Sequence, residues 1–85
     1  MVQSARSDAA AGRLANAAAS IERALRIEPR NPRLWNELAR IRFQQRNYAQ
    51  AEATAARSNS FAGADSALRE SNAEIIDRAR RASGR

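Results

Sequence analysis

At 85 residues, with neither cysteine nor histidine, the chain is sized for one small domain and lacks the groups for disulfides, thiolate metal sites or histidine catalysis. Its formal charge is +6, and every basic residue is arginine, scattered from Arg6 to Arg85 among nine acids. No apolar run approaches the roughly 20 residues of a membrane span.

Alanine, the best helix former, dominates the apolar content, and Val2 is the sole valine, so the composition calls for an all-α fold. The first predicted helix is short, about residues 3 to 11, with Gly12 at the turn. A second, about 14 to 28, carries Leu14, Ala17, Ile21 and Ala24 and is closed by Pro29, which lacks a backbone N–H. Asn31 then serves as the cap of a third helix, about 32 to 45, with Pro32 at its first position. Leu34, Trp35, Leu38 and Ile41 form an apolar stripe at helical spacing along it, and Trp35 reads as core. Asn47, followed three residues on by Gln50, has the form of a capping box for a fourth helix, about 48 to 60. The stretch "SNSFAGADS", 58 to 66, is rich in breakers and reads as the loosest joint. A fifth helix, about 66 to 82, places Ile75 and Ile76 inside with Arg69, Glu70, Asp77 and Arg78 outside, before a frayed tail at 83–85.

These elements repeat. Displaced by 34 positions, Gly12 falls on Arg46, Leu14 on Tyr48, Ala17 on Ala51, Ile27 on Phe61, Pro29 on Gly63, Asn31 on Asp65 and Ile41 on Ile75. Apolar meets apolar, small meets small and breaker meets breaker. The stretch "PRLWNELARIRFQQRNYAQAEATAARS", Pro32 to Ser58, resembles a tetratricopeptide repeat, a unit of about 34 residues built from two antiparallel helices. Trp35, Leu38, Tyr48 and Ala51 fall on the positions that define that pattern, and "GRLANAAASIERALRIEP" keeps the register in the preceding unit. Arg46 departs from it, standing where a turn glycine is usual.

The resemblance implies one domain: a partly degenerate first repeat at 1–30, a second at 31–64 and a C-terminal capping helix at 65–82. Its core would hold Leu14, Ala17, Ile21, Leu34, Trp35, Leu38, Tyr48, Ala51 and Ile75. It implies a curved array whose concave face holds a protein or peptide partner. Arg33, Asn36, Glu37, Arg40, Phe43 and Gln44 would line that face, with Arg6 from the first helix and Glu70, Glu74 and Asp77 from the last. Val2 and Glu37 stand where members that clamp a chaperone's C-terminal carboxylate would carry lysine and asparagine, which argues against that ligand. The residue inventory argues against catalysis and names no cofactor and no metal.

Two alternatives accompany the scaffold reading. One is nucleic-acid binding through the arginines, with Phe43 and Phe61 as the only rings for stacking; a GC-rich genome would produce the same composition, so the charge decides little. The other is self-association as a homodimer, through a weak N-terminal end or an exchange about the 58–66 joint. Similarity to small bacterial envelope members of the family implies an exported lipoprotein domain whose leader has been removed, a cytoplasmic scaffold being the other reading.

Overall fold

The computed structural model describes the backbone of residues 2–84 and the side chains of residues 10–84. It contains four helices: α1 (Val2–Ile27), α2 (Pro32–Gln44), α3 (Tyr48–Ala62) and α4 (Ser66–Ala82). Four rather than five is the main departure from expectation. The helix that begins at Val2 runs straight through Gly12, because a lone glycine with no cap or proline after it costs only about 1 kcal/mol and good helix formers flank it, Ala9 to Ala11 before and Arg13 to Ala15 after. Arg6 and the other side chains before residue 10 lie outside the described residues.

The proline-rich joint is built as the sequence implies. α1 ends at Ile27; the Glu28 N–H still reaches the Ala24 carbonyl at 2.9 Å, and the proline that follows disfavours a further helical residue there. Asn31 then accepts from the Arg33 N–H at 3.0 Å, and Pro32 opens α2 where no N–H is needed. Trp35 pins the joint by donating from Nε1 to the Pro29 carbonyl at 2.8 Å.

The α2–α3 turn is tighter than a capping box. The Asn47 N–H reaches the Arg42 carbonyl at 2.9 Å and the Arg46 N–H reaches that of Phe43 at 2.9 Å. This is the Schellman arrangement, and it forces Arg46 to φ 65°, the left-handed region where glycine is the usual residue. Asn47 makes no side-chain capping bond, so the expected Asn47–Gln50 box is not formed; the Asn47 N–H that Gln50 would have met is already taken by the Arg42 carbonyl. The 58–66 segment is also more ordered than its composition suggests. α3 continues to Ala62, Gly63 turns the chain at φ 58°, and Asp65 accepts from the Leu68 N–H at 3.1 Å to cap α4.

Small residues set the packing. Ala51, Ala55, Ser58 and Ala62 recur along one stripe of α3 and all are buried, so α2 and α4 approach its backbone closely. Ala39, Ala51, Ala55 and Ile75 form one core cluster, against which Phe43 and Ile76 pack. Ala18, Leu25 and Leu38 form a second between α1 and α2, with Ile21, Leu34, Trp35 and Ile41 against it. Trp35 and Tyr48 are therefore packing residues, the latter set edge-on to Phe43 at 5.4 Å between ring centroids. Leu14 and Ala17 are only half-buried, since among the described residues α1 packs on α2 alone. Ion pairs of Arg42 with Glu22 at 2.9 Å and Arg80 with Glu52 at 2.8 Å tie neighbouring helices at the surface. Each is worth about 0 to 1 kcal/mol, so alanine packing rather than charge holds the stack.

Candidate interaction surface

Arg33, Glu37, Arg40 and Gln44 follow one another at i, i+4, i+7 and i+11, so they form a single exposed ridge along α2. A groove runs on each side of that ridge. The α2/α4 groove consists of two depressions, of about 330 Å³ and about 170 Å³, which share Arg40 and Ser71 and so form one continuous cleft. The α1/α2 groove, of about 510 Å³, is floored by Ala17, Ile21 and Ile41.

In the α2/α4 cleft the predicted residues do not all play the predicted part. Arg33 and Arg40 are exposed on its α2 wall, and neither has an ion-pair partner among the described residues. Phe43 is half-buried, with part of its ring in the core and part facing the cleft beside Ile75. Gln44 and Glu74 line the same end. The opposite wall is less acidic than expected. Glu74 pairs with Arg78 at 2.6 Å and Asp77 with Arg81 at 3.2 Å, each along α4 itself, and Glu70 is exposed but borders neither depression.

Asn36 requires a correction. Its side chain is 6% exposed and faces the helix stack, donating to Ser71 Oγ at 3.1 Å and to Asn72 Oδ1 at 2.8 Å. Asn72, fully buried, donates in turn to Ser58 Oγ at 2.8 Å and Asn59 Oδ1 at 2.9 Å, and Ser58 donates to the Pro32 carbonyl at 2.7 Å. This chain of amides and hydroxyls joins α2, α3 and α4 beneath the cleft. Asn36 is thus the floor that fixes the groove's width, with its amide committed to the fold. Sequence reasoning missed Asn72 and Ser58, although the period carries them: Leu68, Asn72, Ile75 and Ala79 share a stripe of α4, as do Ala51, Ala55, Ser58 and Ala62 on α3.

The other aromatic surface is closed. Arg57 lies over Trp35 at 5.6 Å and over Phe61 at 5.2 Å from the ring centroids, filling the space between them. No candidate metal cluster occurs among the described residues, and no helix is long and apolar enough to cross a membrane.

The tetratricopeptide repeat family model matches residues 8–74. Among solved structures, the globular C-terminal domain of P. aeruginosa LpoP is similar to this chain with a TM-score of 0.84 and 42% sequence identity, over 99% of this chain and 79% of that one. No curated protein matches.

Proposed function

Because the chain belongs to the tetratricopeptide repeat family, we propose that it is a non-catalytic protein-interaction module that holds an extended peptide or a helix of a partner protein in the α2/α4 cleft. The observation that carries this reading is the α2 wall: Arg33 and Arg40 are exposed with no ion-pair partner among the described residues, and Arg40 stands beside Phe43 and Ile75. Guanidinium forks suit carboxylates, so the favoured ligand is a segment with acidic residues flanking an apolar one. The buried Asn36–Asn72 bond at 2.8 Å supports the reading from below, since a groove held at fixed width spares a ligand the entropy of ordering it.

A nucleic-acid reading finds less support. All four aromatic rings are half-buried, with Phe61 under Arg57 and Phe43 against Tyr48, so none is presented for base stacking.

The test compares proteins captured by the wild-type chain with those captured by Arg33→Ala/Arg40→Ala, with Arg26→Ala on α1 as the control. Loss of specific partners in the double variant alone, with helical content unchanged, is the expected result. Partners retained by all three chains would remove the α2/α4 cleft from consideration.

A further inference from the structure

The α1/α2 groove repeats a seat that is filled elsewhere in the molecule. On α4, the residues facing α2 across their shared cleft include Ser71, Glu74, Ile75 and Arg78. Exactly one 34-residue step earlier stand Glu37, Arg40, Ile41 and Gln44, which are the α2 residues lining the α1/α2 groove. The same step relates the other wall. Ala51, Ala55 and Ser58 on α3 are completely buried by α2 and α4, whereas Ala17, Ile21 and Ala24 on α1 remain half-exposed. α1 and α2 therefore present to solvent the seat that α3 and α4 fill with α2.

The register also names the helix that fits. α2 spans 32–44, so its counterpart one step earlier ends at residue 10. That segment exists in the chain, but α1 carries it straight on past Gly12 and away from the groove. In the second unit the corresponding turn is made at Arg46, φ 65°; in the first the hairpin is opened into one rod. A rod of 26 residues is about 39 Å long, against about 20 Å for α2, so its N-terminal part extends beyond the helix packed on it.

We infer that this chain pairs with a second copy of itself, residues 2–11 of each α1 lying antiparallel in the α1/α2 groove of the other. An antiparallel helical hairpin opened at its turn has this reciprocal solution, with a two-fold axis close to Gly12. The segment's composition fits: Ala5, Ala9, Ala10 and Ala11 are small enough for close approach, and Arg6 and Asp8 cancel, so the chain's +6 charge is not concentrated at the contact. Pairing covers Ala17, Ile21 and Ile41; Arg40 and Gln44, on the ridge between the two grooves, border it, while Phe43 and Ser71 stay in the open cleft, so the inference does not rest on the peptide-binding reading.

The experiment uses the full 85-residue chain, which has no cysteine of its own. In Ala5→Cys/Ala17→Cys the new thiols stand 12 residues apart, about 18 Å along a straight helix and beyond a disulfide's reach of roughly 7 Å between Cα atoms. Their counterparts one step later, Ala39 and Ala51, are buried in one core cluster. Mild oxidation is expected to give a disulfide-linked species of twice the 9.3 kDa chain mass, while Ala5→Cys alone gives none. Light scattering of the unmodified chain is expected to show the dimer fraction rising with concentration. An intramolecular disulfide, a double variant that stays reduced, equal cross-linking by Ala5→Cys alone, or an unmodified chain that is monomeric at every concentration would each overturn the inference.

Discussion

Asn72→Ala gives the sharpest test of how the three central helices are held together. The substitution deletes an amide that donates to Ser58 and Asn59 and accepts from Asn36, the three distances being 2.8, 2.9 and 2.8 Å. A buried hydrogen bond contributes about 0.5 to 1.5 kcal/mol net, so three sum to roughly 1.5 to 4.5 kcal/mol. The groups left behind limit the loss: Asn36 keeps Ser71, Ser58 keeps the Pro32 carbonyl, and Asn59 is only half-buried and can turn to water. The small void adds less than about 1 kcal/mol, which brings the expected loss to about 3 kcal/mol. A chain this size has a total stability of about 4 to 13 kcal/mol, so the variant folds but melts roughly 12 to 24 °C lower. Thermal and urea unfolding followed by far-ultraviolet circular dichroism measure this directly. A double-mutant cycle with Asn36→Ala should show coupling above about 0.5 kcal/mol. A loss below about 1 kcal/mol, or additivity in the cycle, would show that alanine packing alone sets the helix register.

Arg46→Gly should stabilise the fold by about 0.5 to 1 kcal/mol, because the left-handed conformation at φ 65° strains any side chain and glycine's extra unfolded-state entropy offsets only part of the relief; an unchanged or lower denaturation midpoint would contradict that. Asp65→Ala should cost about 1 kcal/mol through loss of the α4 cap, with Asp65→Asn recovering most of it in the same unfolding measurement. Gly12→Ala, at an exposed helical site where an added Cβ meets nothing within 4 Å, should stabilise α1 by about 1 kcal/mol and raise the dimer fraction seen by light scattering. If it lowers both, the chain turns at Gly12 instead of running through it.

The sequence made the joints legible because each is made by residues with few alternatives. Pro29, Asn31 and Pro32 can end one helix and begin another in essentially one way, and Gly63 with Asp65 does the same one step later. Gly12 was misread because glycine permits a turn without requiring one, and the matching turn is made at Arg46, where the residue type gives no hint of a left-handed backbone. The site is legible only in part, because the family resemblance gives the inner-face positions of α2 to a partner without saying which of them the next helix takes up. Asn36 shows that limit, since an amide whose partners lie on the next helix is as much a core residue as Ala39 beside it. Asn72 gives no core signal by its residue type, although it sits on the stripe of Leu68, Ile75 and Ala79.

One period explains both surfaces of α2. A repeat of this kind completes its core only where a neighbour stands on each side, and α3 has two while α1 has one. On the α4 side the neighbour is present, Asn36 and Asn72 fix the contact beneath, and what remains is a shallow cleft whose arginines have no ion-pair partner among the described residues, suited to a ligand that comes and goes. On the α1 side the groove's floor is apolar and incompletely covered, with Ala17, Ile21 and Ile41 half-exposed, suited to a helix that stays. Apolar burial contributes roughly 25 cal/mol per Å² irrespective of direction, whereas the arginine wall discriminates by charge. The two grooves should therefore respond oppositely to salt: ligand binding beside Arg40 weakens as ionic strength rises, while self-pairing across Ile21 and Ile41 holds or strengthens because the net charge of +6 on each copy is screened.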